Sequence, residues 1–158
     1  MVKRVIIGND HGGYEAKLEL VRHMQAKGIE VVNVGSDSAE IVRYPYYARK
    51  VAGAVARGEF DRGILICSTG IGMSVAANKV KGIRAALCTD GYMARMTRQH
   101  NDANVLCLGG KITGIFELID ILDIWLGEDY IGGRHDISLD ILRQQEEEYG
   151  LQVPGREV

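Results

Sequence analysis

Residues 62–73 read RGILICSTGIGM, an apolar run that ends in a cysteine and a glycine-rich turn. The apolar run predicts a buried central strand at residues 62–66, and the residues after the turn predict a helix at 72–79. The same succession of strand and helix continues in both directions along the chain. We expect the other strands at residues 2–7, 30–34, 83–88 and 105–108, and the other helices at 15–27, 45–57, 91–99, 115–126 and 137–149.

This alternation of strands and helices predicts the fold class. Short apolar strands that alternate with helices favour a parallel sheet that is covered on both faces and connected by right-handed crossovers. We therefore expect an α/β protein, a single-domain Rossmann-like α/β/α sandwich with a five-stranded parallel sheet. The domain should comprise residues 1–150, and residues 151–158 should form a flexible tail.

The composition is typical of a globular protein and narrows the classes of function. The chain has 158 residues and a formal net charge of -2, so no nucleic-acid partner is expected. Its first apolar run is too short for a secretory signal, and no stretch reaches the roughly 20 apolar residues of a membrane-spanning helix. Cys67, Cys88 and Cys107 lack the clustered spacing of a zinc site or a disulfide framework. We expect a cytoplasmic protein.

The binding site is expected at one edge of the sheet. In open parallel sheets, ligands bind beyond the carboxyl ends of the strands. This rule selects the turns after the first, third and fifth strands, which are residues 9–13, 67–72 and 109–111.

Cys67 is the candidate base in the second of these turns. Gly70 and Gly72 allow the backbone to approach a ligand, and free N–H groups at the following helix start could hold an anion. The turn has neither the Lys-Ser or Lys-Thr pair of a phosphate-binding loop nor the third glycine of a dinucleotide-binding motif. It suits a transient enediolate, formed when a thiolate removes a proton beside a carbonyl group. The alternative is that Cys67 is a small buried residue that ends the strand.

Three further segments concentrate polar side chains. Asp10 and His11 could bind sugar hydroxyls and an anion, or could only cap their turn. His100 and Asn101 lie between a helix and a strand, where a histidine could exchange protons with a sugar ring oxygen, or where both residues could be structural. Arg134 follows two glycines and could bind a phosphate. The chain lacks a metal-ligand spacing such as His-Glu-x-x-His, so no metal is expected.

Seven short motifs occur in order along the chain. They are DHGG at 10–13, YP at 44–45, CSTGIG at 67–72, ANK at 77–79, GIRAA at 82–86, RQHNDAN at 98–104 and GGRH at 132–135. Together they resemble the type B ribose-5-phosphate isomerase family, which also includes the galactose-6-phosphate isomerase subunits. The resemblance extends over about residues 2–149.

The resemblance implies an aldose-ketose isomerase that works through an enediolate, without a metal or another cofactor. It also implies a homodimer, or a homotetramer built from dimers, with active sites at the subunit interface and a sugar phosphate as substrate. Cys67 would carry the proton, Thr69 would polarise the substrate oxygens, and His100 of the partner subunit would open the sugar ring. The substrate-binding residues that it implies are Asp10, His11, Tyr44, Ser68, Gly70, Ile71, Gly72, Asn101, Lys111 and Arg134.

Two residues depart from the family pattern at the expected phosphate site. The family usually has an arginine four residues after Arg134, where this chain has Ser138, and an arginine at the position of Lys111. Arg43 could replace the missing cation. Ribose 5-phosphate and ribulose 5-phosphate are the favoured pair, and a tetrose phosphate or a sugar of the galactose 6-phosphate type is the alternative. A subunit active only in a hetero-oligomer and a non-catalytic sugar-phosphate-binding module are the remaining alternatives.

Overall fold

The computed structural model describes residues 2–155 as alternating strands and helices. The strands are β1 (Arg4–Asn9), β2 (Glu30–Asn33), β3 (Arg62–Cys67), β4 (Ala85–Leu87) and β5 (Val105–Gly109). A short 3-10 helix, His11–Gly13, precedes α1 (Tyr14–Ala26), and the later helices are α2 (Tyr44–Ala56), α3 (Ile71–Ala77), α4 (Gly91–Asn101), α5 (Ile115–Gly127) and α6 (Arg134–Glu148). None of these described helices is long and apolar enough to cross a membrane.

Every predicted strand and helix is present, and the differences lie at their ends. β1 extends to Asn9 because its last two residues pair with Leu65 and Ile66 of β3. β4 is shorter than predicted because only three of its residues pair with β5. The last helix begins earlier than predicted, at Arg134.

All five strands run parallel in one sheet, in the order β2-β1-β3-β5-β4. The predicted five-stranded parallel sheet is therefore confirmed. β2, which follows β1 in the chain, lies beside β1 on one side of the sheet. β4 and β5, which follow β3, lie beyond β3 on the other side. A topological switch point consequently lies between the carboxyl ends of these two strands, where sheets of this type bind their ligands.

The two faces of the sheet are covered by different helices, and the strand side chains alternate between them. Ile64 and Ile66 pack with α1, α4 and α5, whereas Leu65 and Cys67 pack with α2 and α3. Because both faces are covered, every residue of β3 is buried. This division of the helices is the one that crossovers of a single handedness require.

The segment after α6 returns to the domain. Gln152 forms a parallel bridge with Val80, and Arg57 Nη1 donates to the carbonyl oxygen of Pro154 at 3.1 Å. These contacts attach part of the segment 151–158, and its flexibility stays a prediction. The last three residues of the segment lie outside the described residues.

Gly63 lets α2 pack closely on the central strand. A Cβ atom at this position would lie 2.7 Å from Val51 Cγ1 and 3.1 Å from Val55 Cγ2, both on α2. On the neighbouring strand, Val105 Cγ2 would be 3.3 Å away. These distances are shorter than normal contacts between carbon atoms, so a side chain here would push α2 away from the sheet.

We predict that Gly63→Ala lowers the free energy of unfolding by about 1–3 kcal/mol, because the added methyl group overpacks the interface between β3 and α2. Gly127→Ala is the matched control, since a Cβ atom at Gly127 would meet no atom within 4 Å. The control should be at least as stable as the parent protein. Urea unfolding followed by circular dichroism measures both variants, and equal stabilities would contradict this description of the packing.

Candidate active site

The turns after β1, β3 and β5 meet at the carboxyl edge of the sheet, as the sequence predicts. The Gly110 N–H donates to the Cys67 carbonyl oxygen at 2.8 Å. The Lys111 N–H donates to the Ser68 carbonyl oxygen at 3.0 Å. Gly12 lies so close to Ser68 that a Cβ atom on the glycine would be 2.2 Å from Ser68 Oγ. Two residues expected to bind substrate, Ser68 and Lys111, therefore belong to one cluster of turns.

Cys67 is the last residue of β3, and 5% of its surface is exposed. Its Sγ accepts a hydrogen bond from the Gly70 N–H at 3.1 Å. Gly70 has a left-handed backbone conformation, with φ of 80°, which turns the chain back toward the sulfur. This hydrogen bond holds the sulfur against the backbone of the turn.

Thr69 makes a second hydrogen bond inside this turn. Its Oγ1 accepts the Ile71 N–H at 3.3 Å. The N–H groups of Gly70 and Ile71 are expected to donate to the substrate. Here they donate hydrogen bonds to the side chains of Cys67 and Thr69. A substrate oxygen that accepts from either N–H group would replace a contact within the turn.

Asp10 and His11 lie in the turn directly after β1. Asp10 is buried, and its Oδ1 accepts the Gly12 N–H at 2.9 Å, which caps the short 3-10 helix. His11 Nδ1 accepts the Val42 N–H at 3.3 Å. The proton of the neutral imidazole is therefore on Nε2, which can donate to an anion or a hydroxyl group.

Tyr44 begins α2, and its ring lies against the first turn of α3. A Cβ atom at Gly72 would be 3.1 Å from two carbon atoms of the ring, so the ring needs a glycine at this position. Tyr44, which was expected near the sugar ring, is therefore adjacent to the turn that carries Cys67.

His100, Asn101 and Arg134 lie at the opposite, amino edge of the sheet. His100 and Asn101 end α4, which returns the chain from β4 to the start of β5. The Asn101 carbonyl oxygen accepts from Nε of Arg84, the residue directly before β4, at 2.9 Å. A six-residue strand such as β3 is roughly 20 Å long at about 3.3 Å per residue, so one chain does not bring these residues to Cys67.

His135, which was not predicted to bind substrate, stacks on His100. The ring centroids are 4.2 Å apart, and the ring planes are inclined by 12°. Partial burial, together with the charges of His100 and Arg134, lowers the pKa of His135. The sequence places His135 beside Arg134, but its pairing with His100 depends on how α6 returns to α4.

The histidines do not converge on a metal site. His11 and Asp10 lie at the carboxyl edge, whereas His100 and His135 lie at the amino edge. Within residues 2–155, no group of three or more histidine, cysteine, aspartate or glutamate side chains could hold a metal ion.

The other two cysteines have environments that differ from that of Cys67. Burial, and to a smaller extent the charge of Asp90, raises the pKa of Cys88 to about 12. Burial also raises the pKa of the Cys107 thiol well above its ordinary value. The Cys67 sulfur, by contrast, accepts a hydrogen bond from a backbone N–H.

Known proteins are similar to this chain in both sequence and fold. The ribose/galactose isomerase family matches residues 5–142. Ribose-5-phosphate isomerase B of Escherichia coli strain K12 is 48% identical over 141 residues, which cover 89% of this chain and 95% of that protein. The structure of Clostridium thermocellum ribose-5-phosphate isomerase B has a TM-score of 0.91 and 49% identity, and the match covers 92% of this chain and 99% of that chain. Ribose-5-phosphate isomerase B of Mycoplasma genitalium, solved with bound ribulose-5-phosphate, has a TM-score of 0.88 and 38% identity over 94% of this chain and 99% of that chain.

The fold of the chain and the known proteins similar to it define an aldose-ketose isomerase built on a Rossmann-like sheet. The chain belongs to the ribose/galactose isomerase family, as the match over residues 5–142 and the identity to its relatives show. The resemblance drawn from the seven motifs is therefore confirmed, and so is the predicted class of enzyme.

We predict that iodoacetamide alkylates Cys67 faster than Cys88 or Cys107 in the folded protein. The raised pKa values keep Cys88 and Cys107 as neutral thiols near neutral pH, and the thiolate is the form that reacts. Mass spectrometry of peptides after timed alkylation measures the three rates. In urea the three cysteines should react at similar rates, which is the control. Faster labelling of Cys88 or Cys107 in the folded protein would contradict the choice of Cys67 as the candidate base.

Proposed function

We propose that the protein interconverts ribose 5-phosphate and ribulose 5-phosphate, with Cys67 as the base that moves a proton between C1 and C2. The observation that carries the proposal is the position of Cys67 at the end of the central strand, with its sulfur accepting the Gly70 N–H. The relatives named ribose-5-phosphate isomerase B support the choice of substrate.

The reaction needs one mobile proton and a site that stabilises negative charge. In the open-chain aldose, the Cys67 thiolate removes the proton from C2. The electron pair left on C2 forms a C1–C2 double bond, and the carbonyl oxygen becomes negatively charged. Backbone N–H groups of the turn stabilise this enediolate, and the Thr69 hydroxyl transfers a proton from O2 to O1. The Cys67 thiol then returns its proton to C1, which gives the ketose.

The complete site needs a second copy of the chain. Cys67 lies at the carboxyl edge and His100 at the amino edge, roughly 20 Å apart by the length of a strand, so one chain does not present both to one sugar. We propose that a homodimer, alone or paired into a homotetramer, brings His100 and Asn101 of the partner subunit to Cys67. His100 of the partner subunit would open the sugar ring beside Tyr44, and Asp10 would bind a sugar oxygen.

The phosphate group would lie between residues from both subunits. His11 can donate from Nε2, and Lys111 follows β5 at the same edge. Arg134 of the partner subunit would add a guanidinium group, which binds phosphate with two parallel hydrogen bonds. Ser138 lies about one helical turn after Arg134, where the family usually has a second arginine. Ser138 and Lys111 both depart from the family pattern at the expected phosphate site, so the isomerisation of a tetrose phosphate or of a sugar of the galactose 6-phosphate type stays the second candidate.

The isomerase class argues against the non-catalytic sugar-phosphate-binding module. A cytoplasmic location stays part of the proposal, and it is supported by the three cysteines, which are free thiols as in a reducing compartment.

Cys67→Ala should lower kcat on ribose 5-phosphate about 10²–10⁴-fold, which is the effect of losing a general base. Binding of the sugar phosphate should persist, because the contacts to its phosphate and hydroxyl groups remain. Cys107→Ala is the matched control, since Cys107 is a buried cysteine on the neighbouring strand β5, and it should keep the parental activity. A coupled absorbance assay measures turnover, and isothermal titration calorimetry measures binding.

Parental turnover in Cys67→Ala would reject Cys67 as the base.

The substrate is tested by assaying the purified chain alone on ribose 5-phosphate, a tetrose 4-phosphate and galactose 6-phosphate. The highest kcat/KM is expected on ribose 5-phosphate. A higher value on another sugar would transfer the proposal to that sugar, and activity only after addition of a different second chain would reject the homo-oligomer.

A further inference from the structure

His100 and His135 form a stacked pair that is held by contacts between α4 and the segment after α5. The Gln99 carbonyl oxygen accepts the Ile131 N–H at 3.2 Å. The Gln99 Nε2 donates to Glu128 Oε2 at 2.8 Å. These bonds join the last turn of α4 to the segment that leads into α6. They therefore bring the first turn of α6, with His135, to the ring of His100.

A further hydrogen bond fixes the start of α6. Tyr130 Oη donates to Asp136 Oδ1 at 2.7 Å, across the turn formed by Gly132 and Gly133. Both glycines have positive φ angles, of 64° and 66°, which glycine adopts more readily than other residues. The backbone on both sides of His135 is thus restrained, so the geometry of the two rings is built into the fold.

We infer that His135 is a positioning residue for His100, and that its ring provides a neutral aromatic surface that holds His100 while His100 exchanges a proton with the sugar ring oxygen. This inference rests on the proposed role of His100 in ring opening. Ring opening breaks the bond between C1 and the ring oxygen: protonated His100 gives its proton to the ring oxygen, and the anomeric hydroxyl loses its proton to water as the C1 carbonyl forms. Before this transfer His100 is a cation, and a cation in contact with the face of a neutral aromatic ring is stabilised. If His135 were also protonated, its positive charge at the same distance would repel the His100 cation.

The surroundings of His135 favour its neutral form. Partial burial is the largest cause that lowers the pKa of His135. The charges of His100 and Arg134 also lower this pKa, whereas the charge of Asp136 raises it. The net effect is a lowered pKa for His135. His135 is therefore suited to remain neutral when His100 is protonated, and Arg134 supplies a permanent positive charge beside it.

The test compares His135→Phe with His135→Leu in the full-length protein, with ring-closed ribose 5-phosphate as substrate. Phenylalanine keeps a flat aromatic face and carries no proton, whereas leucine keeps much of the volume without a ring. We expect the Phe variant to retain kcat within about threefold and the Leu variant to lose about tenfold, with smaller changes in KM. His23→Leu is the control, because His23 lies on α1 and pairs with Asp123 instead, and it should keep parental activity.

An equal loss of kcat in both variants, or unchanged kcat in the Leu variant, would overturn the inference. A raised KM with unchanged kcat in both variants would overturn it in favour of a direct contact between His135 and the phosphate. Absence of turnover in the parent protein would instead refute the proposed function, so the two failures are distinguishable. Melting temperatures verify folding, and His135→Gln replaces the Leu variant if that variant is unfolded at the assay temperature.

Discussion

The structure depends on a strand that is covered on both faces and ends in a tight turn. The side chains of β3 alternate between two apolar layers as far as Cys67, where the left-handed Gly70 turns the chain back and donates its N–H to the sulfur. β1 and β5 flank β3, so the turns after the three strands are brought together at one edge. The sheet thereby provides a rigid support for the turn that carries the proposed base.

The same topology separates the other half of the proposed site from this edge. In a parallel sheet each helix returns the chain to the amino edge, so the residues that end α4 lie one strand length away from Cys67. Two hydrogen bonds hold the end of α4 rigidly. Arg98 Nη1 donates to the Ala103 carbonyl oxygen at 2.6 Å, and Arg84 Nη2 donates to the Asp102 carbonyl oxygen at 3.0 Å. A second subunit would therefore meet a preformed surface, which lowers the entropic cost of assembling the site.

The sequence predicts the elements well because each apolar run is bounded by a turn signal, as at Gly28, where a left-handed glycine follows α1. The shared edge of the turns after β1, β3 and β5 is also predictable, since parallel strands point the same way. The strand order is not, because it depends on packing between distant segments. For the same reason the start of α6 at Arg134 and the stack of His135 on His100 were not predicted, as both depend on contacts between α4 and the segment after α5.

The most direct test of a shared site is complementation between two impaired variants. Cys67→Ala retains His100, and His100→Asn retains Cys67, so a mixed dimer contains one intact site and one site that lacks both side chains. After subunit exchange, random pairing should restore about a quarter of the parental activity on ribose 5-phosphate. A mixture that is no more active than the separate variants would contradict a site built from Cys67 of one copy and His100 of another.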